Sequence, residues 1–250
     1  MNNNPRYAVE KLAWMRDHQI WPNGLRYLWT DAYGVILLVS LFDEFRKKSY
    51  LDQAERVVAN VDQVLGRSRG IRIGEAPDRD GQYFHYLTMW LHALEVLGRH
   101  IPEYRRKGVD LVRQIHEPFL VRGEGVIWKM QEDLSAPYPG FGFGALDAFG
   151  GYVAYNMLDR MWFANGYYCR EPEMSQTKFA FTNYGVSIGL QAVAERSDHV
   201  QRIHKFFETY RSGDEYDDAA ITHVMACNAH FPGKLLISDA YSPTRTRGGD

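Results

Sequence analysis

Residues 31–65, DAYGVILLVSLFDEFRKKSYLDQAERVVANVDQVL, decide the fold. Thr30 and Asp31 are expected to open a helix running to about Lys47, because threonine caps well and an acid in the first turn complements the helix dipole. The interior AYGVILLVSLF (32–42) is apolar on almost every face, the pattern of a helix with no solvent side. The next helix, about Tyr50 to Leu65, is amphipathic. Leu51, Ala54, Val57, Val58, Val61, Val64 and Leu65 share one face, and Gly66 ends it. A helix apolar all round, followed at once by one with a single apolar face, reads as a hairpin with an inner and an outer member.

The same pair recurs along the chain. Asp80 precedes GQYFHYLTMWLHALEVLG (81–98), and Pro102 opens the charged EYRRKGVDLVRQIHEPF (103–119). Asp147 precedes AFGGYVAYNMLDRMW (148–162), with residues 172–178 as its partner. Asn183 precedes YGVSIGLQAVAE (184–195), followed by DHVQRIHKFFETY (198–210), and Asp217-Asp218 precede AAITHVMACNAHF (219–231). A short amphipathic helix from Tyr7 to His18 leads the chain. Starts at 31, 80, 147, 183 and 218 differ by 49, 67, 36 and 35 residues, so residues 1–250 are expected to form one all-α domain, an array of αα-hairpins. Inner helices apolar on all faces favour a closed toroid over an open solenoid. The last hairpin lacks its second member unless the N-terminal helix closes the ring.

Composition narrows the function. Of 250 residues, 45% are hydrophobic and 24% charged, which excludes a disordered or coiled-coil chain. A net charge of −2 leaves no footprint for nucleic acid or an anionic membrane. The apolar stretch 34–42 is far short of the roughly 20 residues that cross a bilayer. MNNNPRYAVEKLAW lacks a signal-peptide profile, and Cys169 and Cys227 make no ligand or disulfide pattern, so a cytoplasmic protein is expected. No motif requires a metal or cofactor, and Gly140-Phe-Gly-Phe-Gly144 lacks the Lys-Ser/Thr of a phosphate loop. Aromatic residues reach 14% (16 Tyr, 13 Phe, 6 Trp), enough for a large core or for a cavity lined with rings that stack on sugars.

If every inner helix runs the same way, Asp31, Asp80, Asp147, Asn183 and Asp217 or Asp218 ring one mouth. Each is also an ordinary cap, worth about 0.5–2 kcal/mol. Two stretches concentrate chemistry near that mouth. In 71–94, Arg72, Glu75, Asp78 and Asp80 precede Gln82, Tyr83 and His85, while His92 lies two turns deeper on the face of His85 and reads as structural. In 126–152, Lys129, Glu132, Asp133 and Asp147 stand among Trp128, Tyr138, Phe141, Phe143 and Phe149. His223 follows Asp218 by five residues, as His85 follows Asp80.

The segments LWTDAYG (28–34), RIGEAPDRDGQYFHYLTMWLHAL (72–94), WKMQEDLSAP (128–137), the start at Asp147 and DEYDDAAITHVM (214–225) resemble a bacterial and archaeal branch of the six-hairpin glycosidase-like superfamily. The resemblance implies an (α/α)6-type toroid with a carbohydrate cavity at the inner-helix N-termini. The reaction is read from the residues: carboxylates at that mouth point to a glycoside hydrolase-like enzyme with Asp80 and Asp147 as acid and base and His85 beside them. Arg72 and Lys129 would hold the sugar, Tyr83, Trp128 and Phe143 would stack on it, and Asp31, Asp78, Gln82, Asp133 and His223 would line the site. Two alternatives stay open: a sugar epimerase of the N-acylglucosamine 2-epimerase kind using His85 and His223 as a proton-transfer pair, and a ligand-binding toroid without catalysis.

Overall fold

A computed structural model of the chain describes residues 4–144, 147, 151, 154, 180–192 and 197–235. It is mostly helical, with α1 (Pro5–Asp17), α2 (Leu28–Phe45), α3 (Lys48–Leu65), α4 (Phe84–Gly98), α5 (Pro102–Phe119), α6 (Ala180–Ala192), α7 (Ser197–Thr209) and α8 (Ala220–His230). None of these helices is long and apolar enough to cross a membrane. Four two-residue strands stitch the long loops: β1 (Gln82–Tyr83) pairs antiparallel with β4 (Lys129–Met130), and β2 (Leu120–Val121) with β3 (Gly125–Val126).

Burial follows the hydrophobic pattern. From Thr30 to Leu41 every residue of α2 is buried, whereas α3 buries only Tyr50, Leu51, Ala54, Val57, Val58, Val61 and Leu65. Val64, placed on that face by its spacing, is 45% exposed; the buried stripe runs through Val61 and Leu65 and leaves it at the edge. α5 likewise buries one stripe, Gly108, Leu111, Val112, Ile115 and Phe119.

The buried helices run parallel. Tyr27 and Tyr86 join hydroxyls at 2.6 Å at the start of α2 and α4, and Phe42 meets His100 at 5.0 Å at their far ends. Along α8, Asn228 donates to the Tyr33 carbonyl (3.2 Å) and the Lys234 amide to Ser40 Oγ (2.9 Å), so α8 follows α2. Phe181–Tyr216 ring contact (5.7 Å) and the Gln191 donation to the Ala229 carbonyl (2.8 Å) set α6 parallel to α8. The spatial order is therefore α4, α2, α8, α6. Behind them pack α5, α3, α1 and α7, respectively. α1 runs antiparallel to α8, stacking Tyr7 on His230 (4.0 Å) and Trp14 against His223 (4.8 Å). The first helix of the chain thus supplies the outer partner of the last inner one.

Asp147, Gly151 and Ala154 are helical and buried, one stripe at i, i+4 and i+7. A Cβ on Gly151 would fall 2.9 Å from the Phe84 ring, so this stripe lies against the start of α4. The expected partner segment 172–178, and Phe149 and Cys169, lie outside the described residues.

The expected caps are displaced. α2 starts at Leu28, so Thr30 and Asp31 sit inside it, and α6 starts before Asn183. Asp80 precedes α4 by a strand, and Asp217 accepts from the Ser212 and Gly213 amides (2.9 and 2.7 Å) before α8. Asp31 instead anchors the loop before α2. It accepts from Trp21 Nε1 (3.0 Å) and pairs with Arg26 Nη1 (3.0 Å), both almost wholly buried. The Trp21 ring crosses α2 where a Cβ on Gly34 would come within 2.1 Å of it. Burial pushes the Asp31 carboxyl up to about 6, against Arg26 and Trp21.

Two predictions follow from this burial. Asp31→Ala strands a buried guanidinium and should cost about 3–5 kcal/mol in chemical denaturation, whereas the pair Asp31→Ala with Arg26→Met should recover part of it. The second concerns acid. Burial lowers His92, His204 and His230 from 6.5 to about 4 and His223 to about 3. Between pH 6.5 and about 4 the unfolded chain binds more protons than the folded one, so stability falls on acidification across that window. Asp31, raised from 3.8 to about 6, acts in the opposite sense as pH falls below 6 but is one group against four. Denaturation at pH 7.5, 6 and 5 should show the loss, and His92→Phe should remove on the order of 2–3 kcal/mol of it.

Candidate functional site

The loops before α4 and after α5 lie against each other because their backbones pair through β1 and β4. Four of the polar residues singled out in the sequence hold this junction. Asp80 is 4% exposed; its Oδ1 accepts from the Gly81 and Gly74 amides (2.8 and 3.2 Å) and its Oδ2 takes the Arg72 guanidinium. Arg72 also donates to the Val64 carbonyl (3.2 Å). Gln82 is fully buried, accepting from the Ile71 amide (2.9 Å) and donating to the Arg69 and Glu132 carbonyls (2.9 and 2.6 Å). Lys129 is equally buried: its ammonium donates to the Arg79 carbonyl and Tyr83 hydroxyl (3.0 Å) and sits 4.5, 4.0 and 5.1 Å from the Tyr83, Tyr138 and Phe141 rings. A cation desolvated this far is stable because rings, a carbonyl and Glu75 at 3.7 Å replace its water. These groups are spent on positioning, and neither Asp80 oxygen is free for a substrate.

Above this junction stands a half-exposed aromatic wall. Tyr83 stacks with His85 (5.7 Å, 20°) and with Trp128 (5.8 Å, 27°). Trp29 from α2 and Tyr86 from α4 complete it, at 5.7 and 4.6 Å from the His85 ring. Phe143 is 52% exposed and reaches the same loop through its bridge to Ile127. Burial pushes the Tyr27 hydroxyl, bonded to Tyr86, up to about 12 and raises Tyr86 as well. Trp29, Tyr27 and Tyr86 went unmarked in the sequence, although aromatic residues at the start of two parallel inner helices were the available signal.

His85 is the pivot. Trp128 Nε1 donates to its Nδ1 at 3.0 Å, which requires a lone pair there and so assigns the neutral imidazole with its proton on Nε2. Asp147 Oδ1 stands 3.8 Å from the same Nδ1, beyond hydrogen-bond reach. That oxygen is buried with no hydrogen-bond partner among the described residues. Asp147 Oδ2 lies 1.7 Å from where a Cβ on residue 144 would stand, so only glycine there lets the carboxylate sit beside His85. Among the described residues this is a buried carboxylate with one unpartnered oxygen next to a neutral imidazole and a ring wall, an arrangement chemically able to pass a proton.

The remaining candidates lie elsewhere. Asp31 belongs to the Trp21–Arg26 anchor. Asp78 is exposed and its carbonyl accepts from Tyr138 (2.8 Å); Asp133 is exposed in a turn with Ser135, whose hydrogen bonds hold its carboxyl low. His223 faces Trp14 and a separate cavity, and its ring contacts share no residue with those of His85. Asp218, 88% exposed, and the turn-bound Asp217 do not join Asp147 and His85. Comparison with protein-family models, curated proteins and solved structures finds no match to this chain.

The two acids are thereby separable by stability. Asp80→Ala should cost about 2–4 kcal/mol, because it leaves Arg72 and two amides unpaired. Asp147→Asn should stay within about 1 kcal/mol of the parent protein, since its Oδ1 gives up no hydrogen bond. Thermal melts of both variants check the difference.

Proposed function

We propose that this protein is a carbohydrate-active enzyme whose acid–base unit is Asp147 with His85. The observation that carries the reading is the buried Asp147 oxygen, unpartnered among the described residues, beside a neutral imidazole and against the wall of Trp29, Tyr83 and Trp128. Flat rings at a half-exposed mouth suit the apolar face of a sugar. The parallel order α4, α2, α8, α6, with a further helical stripe beginning at Asp147 beside α4, supports a toroid of five hairpins in which α1 backs α8. Five pairs use the helices that the sequence offers, where the resemblance implied six. Two cysteines in 250 residues and no membrane-spanning helix among the described ones fit a cytoplasmic setting.

The chemistry assigned is single-site proton transfer. Asp147 Oδ1 takes the proton, and His85 Nε2–H donates to a substrate oxygen where charge develops. A proton arriving on His85 Nδ1 would turn the Trp128 contact into donor against donor while giving Asp147 a cationic partner. Cleavage of a glycosidic bond by two carboxylates needs a second free acid, and Asp80 is bound on both oxygens. Removal and return of a proton on one face of a sugar, as in aldose–ketose isomerisation, needs only this pair, whereas inversion at a carbon needs a second group on the opposite face.

The test is turnover in deuterium oxide with reducing neutral sugars, amino sugars and uronic acids. Deuterium should enter one carbon of one sugar class, and Asp147→Asn should lower the rate by about 10²–10⁴-fold while the sugar still raises the melting temperature. Release of the aglycone from an aryl glycoside without deuterium in the sugar would return the assignment to hydrolysis. A sugar that binds the parent and Asp147→Asn alike, with no turnover of either kind, would make the toroid a binding protein.

A further inference from the structure

A cavity of about 210 Å³ opens between α1, α6, α7 and α8, and shares no lining residue with the His85 site. Its walls are the rings of Tyr7, Tyr184 and Phe207, and its polar groups include Lys11, Arg211 and His223. We propose that this cavity binds a small organic monocarboxylate with a flat apolar body.

Volume sets the size of the ligand. A cavity of about 150 Å³ holds one benzene ring, so this one accepts a ring bearing a carboxylate. The charge comes from Lys11 and Arg211. Lys11 lies over the Trp14 ring at 4.1 Å and makes no ion pair among the described residues. Burial lowers its ammonium from the usual lysine value, which an arriving carboxylate would reverse. Among the described residues Arg211 donates only to backbone carbonyls, those of Tyr210 (2.8 Å) and Phe207 (3.5 Å), which leaves its second terminal nitrogen for a ligand.

His223 makes the cavity a built site. Its side chain is 5% exposed, and its Nε2 is buried without a hydrogen-bond partner among the described residues, 3.9 Å from the exposed Asp218 carboxylate. Burial, with Lys11 and Arg211 nearby, holds the imidazole neutral down to about pH 3. A neutral ring with its proton on Nε2 donates to a carboxylate oxygen and gives that buried nitrogen a partner. Glu208 stands exposed at the rim, near enough to Tyr7 and Tyr184 to raise both hydroxyls. Its charge repels a second negative group, so the cavity selects monoanions over dicarboxylates and phosphate dianions. Asp217, also in the lining, is held by the Ser212 and Gly213 amides and turns its oxygens to that loop.

The experiment is calorimetric titration of the full chain at pH 7 with benzoate, benzamide and phthalate. Benzoate should bind saturably, with benzamide and phthalate each at least tenfold weaker. Lys11→Met should weaken benzoate at least tenfold with an unchanged circular dichroism spectrum, and Glu208→Gln, on the surface, should narrow the gap between phthalate and benzoate severalfold. Asp147→Asn should leave benzoate binding unaltered, which separates this site from the sugar reading. Equal affinity for benzoate and benzamide, full affinity in Lys11→Met, or no saturable binding up to about 10 mM benzoate would each overturn the proposal.

Discussion

The structure depends on α2 having no solvent side. A helix satisfies its own backbone hydrogen bonds, so it can be buried completely, but only if apolar neighbours surround it. From Thr30 to Leu41 every side chain of α2 is buried, and no single partner covers such a helix. α3 covers it from behind, α4 on one flank and α8 on the other. The chain must therefore return after more than 170 residues to place α8 beside α2, and Asn228 and Lys234 lock that return onto the Tyr33 carbonyl and Ser40. The one charged side chain in the buried stretch, Asp31, is neutralised by Arg26 and tied to Trp21 rather than turned to a ligand.

Parallel inner helices have a consequence for chemistry. Their N-termini come to one end, so residues far apart in sequence meet there: Trp29 and Tyr27 from α2, His85 and Tyr86 from α4, Asp147 from the stripe beside it. The loops feeding those helices are long, and their backbones need partners. β1 and β4 supply some, and Asp80, Gln82 and Lys129 supply others from buried side chains. Polar residues in such loops divide into those that build the floor and those left free above it. Burial and hydrogen bonding decide between the two roles, and both classes look alike as letters.

The sequence reading succeeded where periodicity is strong and failed where a side chain's role depends on its partner. The inner–outer alternation in 31–65 and 81–119 is visible because burial on all faces and burial on one face demand different patterns. Asp80 and Asp147 carry the same side chain ahead of similar apolar stretches. One lies 4% exposed under an arginine and two amides; the other, packed against Gly144, keeps one oxygen without a partner among the described residues. Lys129 looked like a ligand-binding cation, yet it is 1% exposed inside three rings contributed by two loops.

The sequence by itself determined that the chain is helical, that its helices alternate between buried and half-buried, and that aromatic and acidic residues gather near the inner-helix starts. Those are local properties, set by side-chain spacing along the helix. Only the tertiary structure decided that α1 pairs with α8, that His85 and His223 have separate surroundings, and which carboxylate keeps an oxygen without a partner among the described residues. Each of these turns on contacts between residues tens to hundreds of positions apart, and on angstrom-scale distances that no periodicity encodes.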